Sequence, residues 1–188
     1  CSVMSRELLG LPFDIHTGGI DHREIHHPNE IAHNQAICGC GALDVTDHSG
    51  ARMWMHNNFL IDRSGKMSKS SGEFLRVQRL IDRGYHPIAY RLMCLQAHYR
   101  SELEYSWDNL AAALTRYKRM HLAAQNAASL VEAGHDEMAI THPKLVPLLD
   151  AFEAAMADDL NTPVALTLLE EALAVKKVSA DQKLSLLH

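Results

Sequence analysis

Two lysines lie three residues apart in the segment 66–70 (KMSKS), which is flanked by Gly65 and Gly72. Lysine carries a compact charge on a long stem, so Lys66 and Lys69 among serines are suited to binding phosphate oxygens. The glycines allow the backbone to hinge. Most Lys/Ser/Gly segments are solvated surface turns, and composition alone fits that interpretation as well. The segment predicts either a mobile phosphate-binding loop or a surface turn.

A second group of residues has the chemistry of metal ligands. His26 and Glu30 lie four positions apart, so one helical turn places imidazole and carboxylate on the same side. Both are zinc-ligand types, and Cys1 can supply a third ligand. A histidine at a helix start beside a solvated glutamate explains the pair equally well. The local histidine density favours metal or substrate chemistry; these histidines are His16, His22, His26, His27 and His33.

Cys38 and Cys40, together with His33 and His48, form a rival metal site. Their C-x-C spacing lacks the C-x₂₋₄-C pattern of structural zinc, which favours free thiols in a loop.

Length and composition indicate a globular protein. The chain has 188 residues, 47% apolar and 22% charged, which suffices for one domain of ordinary size. No apolar run approaches the ~18 residues that span a bilayer, so no membrane partner is expected. Four cysteines beside thirteen histidines do not form a disulfide framework and indicate a reducing compartment, the cytoplasm. The opening on Cys1 without a start methionine or signal peptide is what a cut through a longer protein would give.

The net charge of −5 hides a local excess of basic residues. Between Asp62 and Arg100 eight basic residues face three acidic ones, a local charge of +5. A basic band on an acidic protein suits a polyanion that docks at one place. The counts alone fit solvated helix faces equally well.

The element pattern predicts an α/β part followed by an all-α part. Helix 2–9, strand 13–16, helix 28–37 and strand 53–61 are predicted first. The predicted helices that follow span about 75–83, 87–97, 107–133, 143–157, 163–178 and 180–188. Ser106 and Thr162 are the expected caps of two of them, with Pro87 and Pro163 in first turns. We expect an α/β piece over 1–62, a connecting region over 63–105 and an antiparallel helical bundle over 106–188.

Seven sequence blocks occur in an order that is specific to one family. They are Cys1-Ser2-x-Met4, FDIHTGGID (13–21), HHPNEIAH (26–33), WMHNNFL (54–60), KMSKSSGEF (66–74), HYRSELEYS (98–106) and MADDLNTPVAL (156–166). The lysine segment resembles the signature loop of class I aminoacyl-tRNA synthetases. Residues 1–176 resemble the carboxyl-terminal part of a cysteinyl-tRNA synthetase. The resemblance implies the second half of a Rossmann-like core, then the start of a tRNA-binding, DALR-like helical domain.

The resemblance also implies a zinc site. The family binds zinc through two cysteines, a histidine and a glutamate, and the zinc coordinates the substrate cysteine. Carried onto this chain, the ligands are Cys1, His26 and Glu30. A thiol bound to zinc is deprotonated and strongly held, and serine offers no such bond, so selection needs no editing.

The remaining site residues follow from the same resemblance. Gly18, Gly19 and Asp21 correspond to a nucleotide-facing segment, and His27 and His56 are expected near the adenylate. Either histidine could instead be structural.

Lys66 and Lys69 are expected to stabilise charge on the triphosphate of ATP, which is supplied with Mg²⁺. Trp54 is expected to pack beneath its strand.

The implied function is a cysteine–tRNA ligase. It would activate cysteine with ATP and transfer it to tRNA(Cys), acting as a monomer in the cytoplasm. Three features depart from the family: the HIGH histidine motif and the first zinc cysteine would lie upstream of Cys1, Glu73 replaces an asparagine, and residues 27–29 replace His-Glu-Asn. The chain alone is therefore expected to be inactive, with a mobile lysine loop.

Two alternatives remain at this point. A mycothiol-pathway cysteine ligase resembles these synthetases through the same blocks and passes cysteine to an amino-sugar. A non-catalytic module could retain the metal site and the basic face.

Overall fold

The chain begins with two helices and two strands. The computed structural model describes residues 1–38, 48–62, 65–66, 76–131 and 139–187. The first elements are α1 (Ser2–Leu9), β1 (Phe13–Gly19), a short 3₁₀ turn (Ile20–His22), α2 (His26–Cys38) and β2 (Ala51–Asn57). They belong to a compact unit made of Cys1–Phe59 and Tyr99–Glu102.

β1 and β2 pair in parallel, with α2 in the connection between them. Parallel strands need such a crossover, because the chain must return to the starting end of the first strand before it can enter the second. The register places His16 opposite Trp54 and Gly18 opposite His56. Side chains alternate along a strand, so these four residues share one face of the pair.

The segment after β2 is anchored by the part of the chain that returns to this unit. The Asn58 backbone N–H donates to the Tyr99 carbonyl at 2.8 Å. The Asn58 side-chain amide donates to the Arg100 carbonyl at 3.0 Å. The end of β2 is thereby tied to residues forty positions further along the chain.

The second compact unit consists of Leu60–His98 and Leu103–His188. Its strands are β3 (Leu60–Asp62), β4 (Gly65–Lys66) and β5 (Leu103–Glu104), with β3 between the other two. Its helices are α3 (Val77–Asp82), α4 (Pro87–Leu95), α5 (Trp107–Ala128), α6 (Val146–Ala157), α7 (Thr162–Ala174) and α8 (Ala180–Ser185). Among the described residues no helix has both the length and the apolar character that crossing a bilayer requires.

The core of the second unit centres on the packing of α4 against α5. Leu110 of α5 is fully buried, and Met93 and Ala89 of α4 and Leu80 of α3 belong to the same cluster. α5 begins at Trp107 because the Ser106 hydroxyl accepts the Asn109 backbone N–H at 3.0 Å. The long helix is therefore positioned at one end by its cap and along its length by apolar packing.

Most predicted elements are confirmed, but several details are wrong. The predicted strand 13–16 continues through Gly19, and the predicted helix 163–178 ends at Ala174. The predicted strand 53–61 is two strands, because the chain leaves β2 at Asn57 and enters a different sheet at Leu60. The predicted helix 107–133 ends at Ala128. Thr162 is the first residue of α7 and not its cap, which is Asn161. The prediction of a mobile lysine loop falls on residues 67–75, which lie outside the described part of the chain.

The predicted division of the chain at residues 62 and 105 stays a prediction. The compact units group residues by packing, and they do not test where one functional domain ends and the next begins.

An ion-pair cluster joins α5 to α7. Glu170 accepts from Arg116 at 2.8 Å and from Arg119 at 2.7 Å. Burial by itself would raise the pKa of the Glu170 carboxyl, but the hydrogen bonds from the two guanidinium groups outweigh it and lower the pKa. The carboxylate is therefore held in its charged form by the folded state.

We predict that Glu170→Gln lowers the free energy of unfolding by about 1.5–3 kcal/mol at pH 7, the range for hydrogen bonds to charged groups. A carboxyl with a lowered folded-state pKa stabilises the fold above its unfolded pKa, and this contribution is lost as the pH falls through the folded pKa. The difference from the wild type should therefore shrink towards pH 3. Urea unfolding at both pH values measures it.

Glu171→Gln is the matched control, because Glu171 is the exposed neighbour on the same helix. Equal losses for the two variants at pH 7, or a loss for Glu170→Gln that persists at pH 3, would contradict the prediction.

Candidate functional site

A buried carboxylate lies at the centre of the candidate site. Glu30 on α2 has a side chain that is only 6% exposed. Its Oε2 lies 2.9 Å from Nε2 of His16 on β1, and its Oε1 lies 3.3 Å from Nε2 of His26. Neither oxygen has a hydrogen-bond partner of proper geometry among the described residues. The two imidazole rings thus lie close to the carboxylate but do not form well-oriented hydrogen bonds to it.

Cys1 completes a group of three metal-ligand types around this carboxylate. One potential ligand atom from each of Cys1, His26 and Glu30 lies within 4.8 Å of the others. Cys1 is brought there by α1, which it precedes, and the Ser2 hydroxyl on that helix donates to the Glu30 carbonyl at 3.4 Å. A thiolate, an imidazole and a buried, unsatisfied carboxylate fit a zinc ion chemically.

The three predicted metal ligands are therefore close together in space, although they come from different parts of the sequence. A second group shares Glu30 and consists of His16, His27 and Glu30, with one ligand atom of each again within 4.8 Å of the others. The metal role itself stays a prediction.

His27 and His56 form a hydrogen-bonded pair. Nδ1 of His27 lies 2.8 Å from Nε2 of His56, so one ring donates and the other accepts. Burial, followed by the neighbouring His16 and His56, lowers the pKa of His27 to about 4. Burial, followed by Arg23 and Arg100, lowers the pKa of His56. The pair is therefore uncharged at neutral pH and acts through hydrogen bonds.

Trp54 packs against the histidines and fills the face of the strand pair. Its ring centroid lies 4.5 Å from that of His16 and 4.8 Å from that of His27. Its Nε1 is buried and has no hydrogen-bond partner among the described residues. The expected packing role is confirmed, and the layer it packs is one of imidazole rings.

The site leaves no room for a side chain at Gly18. A Cβ built there would lie 2.6 Å from Cε1 and 2.8 Å from Nε2 of His27. At Gly19 a Cβ would lie 2.5 Å from Oδ1 of the exposed Asp21. The predicted nucleotide-facing segment therefore lies directly against the histidine pair.

Sequence reasoning counted His16 among the clustered histidines but assigned it no individual role, although its contact with Glu30 is shorter than that of His26. The sequence contained one signal for His16: it lies two residues before Gly18 on a strand, so the two residues share a face of that strand. Of the two predicted catalytic lysines, Lys66 ends β4 and pairs with Ile61, whereas Lys69 lies outside the described residues.

The fold matches a class I synthetase. A LeuRS from Agrobacterium radiobacter K84, solved as a ternary complex with tRNA and LeuAMS, aligns with a TM-score of 0.71. The alignment covers 94% of this chain and 24% of the LeuRS, at 16% sequence identity. At that identity the likeness concerns the fold alone. The prediction of a mixed α/β region followed by helices is confirmed.

The family model for the tRNA synthetases class I (C) catalytic domain matches residues 1–115. The chain belongs to this family. A DALR domain model matches residues 151–178, within the predicted helical part.

Two relatives show the same affiliation. The cysteine–tRNA ligase of Novosphingobium aromaticivorans is 67% identical over 185 residues, which cover 98% of this chain and 37% of the relative. The cysteine–tRNA ligase of Zymomonas mobilis is 46% identical over 215 residues, covering 100% of this chain and 41% of the relative. The chain therefore spans about two fifths of the length of these curated relatives.

We predict that Gly18→Ala disrupts the site because the new methyl group must displace His27, which is 3% exposed and cannot turn away. The expected loss in free energy of unfolding is about 1–3 kcal/mol, the cost of overpacking. The imidazole NMR signals of His27 and His56 should shift.

Gly19→Ala is the control, because the added methyl group meets the end of an exposed side chain, the Asp21 carboxylate, and not a buried ring. The prediction is wrong if the two variants unfold alike and leave the imidazole signals unchanged.

Proposed function

We propose that the whole protein to which this chain corresponds is a cysteine–tRNA ligase that uses ATP to activate cysteine and transfers it to tRNA(Cys). The observation that carries the proposal is the convergence of Cys1, His26 and Glu30 around a buried, unsatisfied carboxylate. Membership of the class I (C) family and the names of the relatives support it.

Zinc is the metal we propose for Cys1, His26 and Glu30. When bound, zinc would hold the thiol of the substrate cysteine as a thiolate, which a hydroxyl cannot match. The chain's own contribution is to bring the three ligand types together. Glu30 is the central ligand, because its burial leaves the carboxylate without water and its contacts with His16 and His26 do not satisfy it.

The nucleotide is proposed to lie along Gly18 and Gly19, beside Asp21. The His27–His56 pair borders this segment and offers uncharged hydrogen-bonding groups that do not repel a phosphate or attract it strongly. The lack of side chains at the two glycines permits close approach of a ligand to the backbone. Such contacts position the reacting groups, and no covalent step by the protein is required.

Lys66 and Lys69 are proposed to bind the triphosphate, with Mg²⁺, as pyrophosphate leaves. Their three-residue spacing and flanking glycines support this assignment. The helices after residue 106 are proposed to form an antiparallel bundle that begins the tRNA-binding domain, which the DALR match at 151–178 supports. The Rossmann-like character of the first part is proposed from the β1–α2–β2 crossover.

The first test is zinc binding by the chain. Glu30→Gln and Cys1→Ala should each weaken zinc binding at least about tenfold, since even supporting residues of metal sites contribute that much. Competition with a chromogenic chelator measures the affinity, and atomic absorption measures the metal content.

His33→Ala is the matched control, because His33 is an exposed histidine of the same helix. Zinc affinity that is unchanged in Glu30→Gln, or that falls only in His33→Ala, would rule out the proposed ligand set.

The second test uses a longer protein, in which this chain follows the amino-terminal part of the Novosphingobium relative. It should catalyse cysteine-dependent ATP–pyrophosphate exchange. Lys69→Ala should lower kcat about 10²–10³-fold, the usual cost of one group that stabilises transition-state charge, and leave the KM for cysteine unchanged. Lys144 is an exposed lysine of the helical part, and an equal fall in kcat for Lys144→Ala would argue against a specific role of Lys69.

A further inference from the structure

Three aromatic rings stack on the surface of the second compact unit. Tyr117 stacks with two imidazoles: its ring centroid is 5.7 Å from that of His86 and 5.6 Å from that of His121. The interplanar angles are 19° and 21°, so each imidazole is nearly parallel to the tyrosine ring. We call these three residues the ring stack.

The stack is held in place by backbone structure. Tyr117 and His121 lie four residues apart on α5, so they are neighbours on one face of the helix. His86 precedes α4, and its Nδ1 accepts the backbone N–H of Ile88 at 3.2 Å. Because α4 packs on α5, this capping bond orients the His86 ring relative to the other two. The rings are thereby ordered before any ligand arrives, which reduces the entropy lost on binding.

The stack is accessible and lies in basic surroundings. His86 and His121 are exposed, and Tyr117 is half-buried. Lys118 is exposed and lies three residues from His121, on the same side of the helix. The sequence from Asn109 to Val131 has no acidic residue and contains Arg116, Lys118 and Arg119. Arg116 and Arg119 both pair with Glu170, and Lys118 is the remaining basic residue of this helix, beside the stack.

We propose that the ring stack binds an unpaired base of RNA, with Lys118 contacting the adjacent phosphate. Exposed, nearly parallel aromatic rings next to a cation are the arrangement on which single-stranded bases stack. The absence of acidic residues from this stretch of the helix disfavours a basic peptide as the ligand and favours a polyanion such as RNA. The proposal rests on the proposed function in one respect, which is that the RNA is a tRNA.

The test compares Tyr117→Leu with Tyr117→Phe in the full 188-residue chain. Leucine keeps a good helix former of similar bulk but removes the ring, whereas phenylalanine keeps the ring. One probe is a tRNA(Cys) transcript, and the other is a short single-stranded RNA that carries one 2-aminopurine. Tyr117→Leu should weaken binding of both by about 5- to 100-fold and abolish the quenching of 2-aminopurine. Tyr117→Phe should bind and quench like the wild type.

Lys118→Gln should weaken both probes and lower the salt dependence of log Kd by a slope of about 1, the mark of one lost phosphate contact. Circular dichroism and urea midpoints establish that each variant folds. Equal affinity and quenching for Tyr117→Leu and Tyr117→Phe would overturn the proposal, as would a lack of RNA binding by the wild type.

The outcome of the RNA-binding test does not depend on whether the protein activates cysteine. Loss of zinc binding or of cysteine-dependent exchange would refute the proposed function without affecting ring-dependent RNA binding. Conversely, a longer protein that charges tRNA(Cys) with the same KM in both Tyr117 variants would keep the proposed function and refute the assignment of tRNA as the RNA that the ring stack binds. Binding of the short RNA but not of the tRNA transcript would retain the stack as an RNA site and remove its link to tRNA.

Discussion

The placement of one carboxylate in a dry environment is the constraint on which the first unit depends. A buried charge without a partner costs several kcal/mol, so Glu30 requires compensation from the groups around it. His16, His26 and Cys1 surround it from a strand, from its own helix and from the chain start. Each of these residues is held by a different element, and the parallel pairing of β1 and β2 is what fixes the strand side. The local fold therefore brings potential metal-ligand atoms from separate elements close to one carboxylate.

The histidines around this group divide into two kinds. His16 and His26 lie nearest to the Glu30 carboxylate, whereas His27, which also has a ring nitrogen within 4.8 Å of a Glu30 oxygen, is hydrogen-bonded to His56. Burial lowers the pKa of both His27 and His56. The rings pack on Trp54, and across them the electrostatic environment changes within a few ångströms from a carboxylate to an uncharged histidine pair.

Sequence patterns predicted the helical part well, because amphipathic spacing, Pro87 and the Ser106 cap are local signals that the structure retains. The ligand types Cys1, His26 and Glu30 were recognised from chemistry and from family resemblance, and their proximity is a tertiary fact. The role of His16 was missed because the face that it shares with Gly18 does not show, without the tertiary structure, that the histidine lies against a carboxylate. The break between β2 and β3 was missed although Asn57 and Asn58 separate the two apolar stretches, because two polar residues do not show by themselves that the chain changes sheets. The division of a chain among sheets depends on long-range pairing, which short windows do not contain.

The return of Tyr99–Glu102 to the first unit has a consequence for dissecting the protein. The chain passes between the two units at three points, after Phe59, after His98 and after Glu102. Any gene truncation or proteolytic cut at one of these points leaves one fragment without residues that its unit uses. A piece ending at Phe59 would lose both carbonyls that accept from Asn58 and would release the end of β2, two residues beyond His56. The two units are thus interleaved along the gene, and modular exchange between relatives must keep all three crossings together.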